Sequence, residues 1–143
     1  MLRVAGRSAD IVGINARLRE GRLTSRAAAE LTPDEVRRKV GWVREAAAQA
    51  GRDPDALELL TFGAVVAIRD DPRPLRELLA AASQLPLEQV AGSPLFLTGS
   101  AAEIQDRLAR RREETGINYI VIADQEPAAL ERFAKCVVEP LCS

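Results

Sequence analysis

Residues 97–133 constrain the fold more tightly than any other part of the chain. Ser100-Ala-Ala-Glu103 has the spacing of a capping box, in which the hydroxyl and the carboxylate each satisfy a free backbone N–H at a helix start. Ile104 and Leu108 follow on one face of that helix, and Gly116 supplies its stop. Residues 117–123 are almost wholly apolar, the pattern of a strand buried on both faces. Glu126-Pro127 then opens another helix, with Leu130, Phe133, Val137 and Leu141 as its stripe. A capped helix, a glycine stop, a buried strand and a second helix form one segment of a parallel α/β protein.

The upstream sequence repeats this rhythm. Leu2, Val4 and Ala5 predict a short helix, and residues 9–14 a short buried strand. Residues 15–30 are polar and rich in arginine (Arg17, Arg19, Arg22, Arg26) without a clear period, and read as a loop. Thr32-Pro-Asp-Glu35 predicts a helix start, with Thr32 as cap, Pro33 in the first turn and Glu35 completing the box. Val36, Val40, Val43 and Ala47 give that helix its apolar stripe, Trp42 packs beside it, and Gly51 ends it. Residues 57–68 read as one long strand, in which Gly63 suggests a bulge or a close backbone approach such as to a ligand, with a packing constraint as the plainer alternative. Asp70-Asp-Pro-Arg-Pro74 starts a helix running through Leu75, Leu78, Leu79 and Ala82. Residues 85–92 form a short helix or turn, and residues 93–97 a connection.

These elements predict a three-stranded parallel sheet, residues 9–14, 57–68 and 117–123, with right-handed crossovers and helices on one side. The other face is expected to lie open or under the 15–30 loop. Val40, Val43, Ile104, Leu108, Ile120, Ile122, Leu130 and Phe133 are the expected core.

Composition narrows the chemistry. The chain of 143 residues contains no histidine, which removes the commonest general base and the commonest zinc ligand. Acid–base work confined to this chain would fall to carboxylates, Lys39, Lys135, Tyr119 or a cysteine. Cys136 and Cys142 match no redox or metal motif, and read as unpaired thiols of a reducing cytoplasm. A net charge of −1 with interleaved signs offers no basic face for nucleic acid. No segment approaches the ~20 apolar residues that span a membrane. Gly-x-Gly-x-x-Gly and Walker phosphate loops are missing from the sequence.

In parallel α/β folds, ligands bind beyond the C-terminal ends of the strands. That rule nominates Asn15 and Arg17 after the first strand, Arg69 and Asp70 after the second, and Asp124 and Gln125 after the third. Asn15, Arg17, Arg69 and Asp124 are the cofactor-binding candidates. Each type is also common as a cap or turn residue, and no catalytic residue emerges.

Met1-Leu-Arg-Val-Ala-Gly-Arg-Ser-Ala-Asp-Ile-Val-Gly-Ile-Asn15 resembles the helix-then-strand stretch in the second half of the luciferase-like monooxygenases. Residues 31–45 are similar to the helix that follows it, and residues 97–122 with Phe133 to the family's C-terminal signature. The closest resemblance is to the branch that uses the deazaflavin coenzyme F420. It covers almost the whole chain in order, although no single motif is diagnostic.

The resemblance implies a (β/α)8 barrel about twice this length. Residues 1–143 would be its C-terminal part, carrying the sixth to eighth strands, with Met1 not the start of the fold. The glycine-rich turn and earlier strands that furnish much of the family's cofactor cradle would lie elsewhere. The implied activity is that of an oxidoreductase or monooxygenase acting on a small organic molecule with F420 or FMN. The alternatives are a catalytically inactive remnant, or an interaction subunit that completes a barrel with another chain. Exposed sheet edges would favour self-association.

Overall fold

The computed structural model describes residues 1–17, 24–122 and 126–142. Helix α1 (Leu2–Ser8) leads into β1 (Ile11–Gly13). Then come α2 (Ser25–Ala29), α3 (Pro33–Gln49), β2 (Glu58–Gly63), β3 (Val65–Ile68), α4 (Arg73–Ser83), α5 (Leu87–Gly92) and β4 (Phe96–Gly99). The order ends with α6 (Ala101–Thr115), β5 (Ile117–Ile122) and α7 (Pro127–Phe133), which runs on through a widened turn to α8 (Glu139–Cys142). All strand pairs are parallel: β1-β2-β5 form one sheet and β3-β4 a second. Among the described residues no helix is long and apolar enough to cross a membrane.

The expected 57–68 strand is divided. Its first part pairs with β1 and β5; after Gly63 the chain changes partner, and the Leu95 carbonyl accepts from both Ala64 and Val65 N–H at 2.9 Å. Gly63 is not a bulge, since the register shift falls instead between Leu59 and Leu60; it is buried, and a β-carbon there would make ordinary contact with Leu97 Cδ1 at 3.4 Å. The new partner, β4, lies in the region read as a connection. Its four residues are all buried, so it shows no alternation, and Ser93-Pro94 just before it masks a strand this short.

Alternation separates the faces of the first sheet. Val12, Leu59, Thr61, Ile120 and Ile122 share one face, and the first three are almost fully enclosed. Val36, Val40 and Val43 of α3 join Val12, Ile14 and Leu59 in one cluster; Ile104, Phe133 and Val137 join Val66 and Leu97 in another. The opposite face carries Ile11, Leu60, Phe62, Tyr119 and Val121, with Ile11 53% and Tyr119 48% exposed. This is the open face expected of the sheet.

Three local expectations need correction. Residues 15–30 include α2, whose start is capped by Thr24 accepting from Ala27 N–H at 3.2 Å. Thr32 makes no side-chain cap and is itself buried, although Pro33 does begin the helix. Leu130 is 39% exposed, so the buried apolar contacts of the terminal helix come from Phe133 and Val137. Leu108, Ile120 and Ile122 pack at the margin of the core.

The capping box at Ser100 is present in both directions, and Gly116 ends α6 with φ 75°. Farther along, Pro140 lacks the N–H that would bond the Cys136 carbonyl four residues earlier. Gln105 Nε2 supplies that donor from α6 at 2.7 Å, and the helix widens at residues 134–138. Ser93 performs a similar service in the core. Its buried hydroxyl donates to the Leu31 carbonyl at 2.9 Å and accepts from Leu95 N–H at 3.3 Å. Ser93→Ala is expected to cost about 1–3 kcal/mol in denaturant unfolding, because both partners lose their bond in a dry site. No measurable change would mean that water replaces the hydroxyl.

Candidate functional site at the strand ends

The exit from β1 is held by groups from below and beside it. Thr61 Oγ1 donates to the Ile14 carbonyl at 3.1 Å, and Lys39 Nζ donates to the Asn15 carbonyl at 3.1 Å. Lys39 is 7% exposed and lies 3.5 Å from Glu30, which also accepts from Arg17 N–H at 3.2 Å. The Asn15 amide folds back over its own strand: a β-carbon on Gly13 would meet Asn15 Nδ2 at 2.9 Å. Asn15 and Arg17 are both exposed.

Lys39 escaped the sequence reading because it was weighed only as an acid–base candidate. The signal was its position, three residues after Val36 and four before Val43, which turns it inward with the apolar stripe.

The exit from β4 is closed by its own surroundings. Arg76 Nη2 donates to the Thr98 carbonyl at 2.6 Å and Arg76 Nε to Thr98 Oγ1 at 3.2 Å, while Arg107 donates to the same carbonyl. Gly99 has φ 146°, and a β-carbon there would strike the Glu103 carboxylate at 2.7 Å. That carboxylate accepts Ser100 N–H at 2.8 Å and lies 3.8 Å from Arg76. The N-terminus of α6 is thus occupied by the chain's own anion.

Arg76 was missed because α4 presents a different face from the one expected. Leu78 is 65% exposed; the inward positions are Arg76, Leu79, Ala80 and Ser83, which also have helical spacing.

Arg69 stands in a more open setting. Its N–H donates to the Gly99 carbonyl at 2.8 Å, joining the ends of β3 and β4. It lines a cleft of about 420 Å³ whose walls are β3 (Val66 to Ile68) and Ala128, Ala129 and Arg132 of α7. This cleft pairs two exposed cations with an apolar wall. Asn15 and Arg17 take no part in it. Asp124 and Gln125 lie outside the described residues. Among the described residues no cluster of acids and cysteines could hold a metal ion.

The whole fold superposes on known enzymes. The coenzyme F420-dependent tetrahydromethanopterin reductase of Methanopyrus kandleri matches 99% of this chain and 48% of its own, with a TM-score of 0.63 and 16% identity. Long-chain alkane monooxygenase (LadA) matches 99% of this chain and 38% of its own, at 0.59 and 14%. The monooxygenase RslO1 of Streptomyces bottropensis matches 97% and 44%, at 0.58 and 16%. All three, the reductase included, are members of the luciferase-like monooxygenase family. The chain has the luciferase-like fold. It spans less than half the length of each of these proteins. No protein-family model and no curated protein matches the sequence.

Proposed function

We propose that this luciferase-like chain is the C-terminal part of an F420- or FMN-dependent oxidoreductase barrel that acts on a small organic molecule. The observation that carries the reading is the match of nearly the whole chain to less than half of each of three such enzymes. The exposed sheet face supports it, since Ile11, Leu60, Phe62, Tyr119 and Val121 occupy positions that would line a closed barrel.

The residues at the strand ends fit part of such a coenzyme. Arg69 and Arg132 suit its anionic groups, and Val66, Ile68, Ala128 and Ala129 give a flat apolar surface. None of these closes over a ring system, so the rest of the cradle falls to further strands. The coenzyme, when bound, supplies the hydride chemistry. Here the chain's own work is to fix the charge and exclude water along one wall.

The test starts with the DNA upstream of the Met1 codon and any βα units encoded there, in frame or in a neighbouring frame. The present chain alone, titrated with F420 and with FMN and followed by fluorescence, is expected to show a Kd no tighter than about 1 mM. The completed barrel is expected to bind one of them at micromolar concentration, with Arg69→Ala weakening it at least about tenfold. Micromolar binding by the chain alone would show that the site is already complete. A completed barrel that binds neither cofactor would overturn the oxidoreductase reading.

A further inference from the structure

A second concentration of charge lies on the helical layer, in a cleft that shares no lining residue with the one at Arg69. Four arginines, Arg37 of α3 and Arg107, Arg110 and Arg111 of α6, border a cleft of about 330 Å³ with one carboxylate among its lining residues, Glu114. Pro33, Val36 and Pro94 supply its apolar part.

The arginines are of two kinds. Arg37 and Arg110 are exposed and already paired, Arg37 with Asp34 at 2.6 Å and Glu114 at 3.3 Å, Arg110 with Asp106. Arg111 is buried and Arg107 half-buried, and neither has a carboxylate within 4 Å among the described residues. Arg111 is 9% exposed; its Nη2 donates to the Gly92 carbonyl at 3.2 Å, and its Nη1 is buried with no partner among the described residues. Arg107 donates to the carbonyls of Ala91 and Thr98, and its Nε is likewise buried and unpartnered.

Two cations one helical turn apart repel each other, and removing them from water is costly; Glu103 near Arg107 and Glu114 near Arg111 offset only part of that cost. Burial, with repulsion from Arg107 second, pulls Arg111 down to about 10. Burial, with repulsion from Arg76 second, does the same to Arg107. Both remain charged at neutral pH. An anion in this cleft would offset that cost.

We propose that this cleft binds the phosphoryl group of a small organic phosphate, with Arg107 and Arg111 as its deep cations and Arg37 and Arg110 at its mouth. Guanidinium groups match phosphate oxygens in pairs, and the two deep ones, which have no carboxylate within 4 Å among the described residues, favour a dianion over a monocarboxylate. The prolines and Val36 provide a surface for the carbon portion. This site stands independently of any coenzyme at the strand ends.

The test is thermal unfolding and phosphorus NMR of the whole chain at constant ionic strength, with chloride as baseline and with inorganic phosphate and phenyl phosphate as probes. Phenyl phosphate is expected to raise the unfolding temperature saturably, with a Kd of about 1 mM or tighter. Arg111→Met is expected to weaken binding at least about tenfold, and Arg112→Gln, one residue on and outside the cleft, to leave it unchanged. Should Arg111→Met fail to fold, the exposed Arg110→Gln is expected to weaken binding severalfold. Tighter binding of phenyl phosphate than of inorganic phosphate supports an ester as the occupant; equal binding supports the free ion, and either sustains the phosphoryl site. Stabilisation no greater than that given by chloride, or equal losses in Arg111→Met and Arg112→Gln, would overturn it.

Discussion

Phe133→Ala is expected to lower the unfolding free energy by about 3–5 kcal/mol, a large share of the ~5–15 kcal/mol that holds a domain of this size together. The ring is 5% exposed and packs in the cluster of Val66, Leu97, Ile104 and Val137. The cost is concentrated there because Leu130 and Leu141, the other large members of the same stripe, are exposed. Phe133 and Val137 are therefore what fixes the terminal helix to β3, β4 and α6. Removing the ring leaves a cavity that a helix tied by its widened turn cannot close fully. Urea unfolding of the wild type and variant measures the loss. A change below about 1 kcal/mol would mean that the terminal helix is not docked through Phe133.

Gly6→Ala is the second large effect, and here the cost comes from contact rather than from a void. A single added β-carbon would lie 2.4 Å from the Val43 carbonyl oxygen and 3.1 Å from its carbon. Those are backbone atoms in the middle of α3, so no side-chain rotation relieves the clash. Helix α1 has to shift, and the bond that Arg52 makes to the Gly6 carbonyl at 3.1 Å goes with it. Overpacking of this kind costs about 1–3 kcal/mol, against the small gain alanine would normally bring to a helix. Denaturant unfolding checks the size. A variant as stable as the wild type would show that α1 does not rest on α3 at Gly6.

What was legible in the sequence was whatever local chemistry dictates. The box Ser100–Glu103, the stop at Gly116, and strands within the expected 9–14 and 117–123 follow from caps and apolar runs; the described strands are Ile11–Gly13 and Ile117–Ile122. Parallel pairing followed from the alternation of helix and strand. Features set by tertiary contact were not legible. Residues 58–68 have one continuous composition, and only the arrival of β4 divides them. Leu78 and Leu130 look like core residues to any periodicity argument, yet the helices present neighbouring faces, one of them carrying Arg76. The buried cations share a cause: Lys39, Arg107 and Arg111 sit at helical positions where a long stem reaches a carbonyl, and composition does not record which carbonyls are free. The strand-end rule led to Arg69, which lines a cleft, and equally to Asn15 and Arg17, which the first sheet places elsewhere.

The change of partner after Gly63 bears on how the chain assembles. The pairing of β3 with β4 encloses a shorter stretch of sequence than the pairing of β2 with β5, so its closure entropy is smaller. Once β3 is seated against β4, the residues just before it are already held in place for the more distant partner. One continuous stretch of backbone thus joins a nearer partner to a more distant one, and fixing the first shortens the loop left to close for the second.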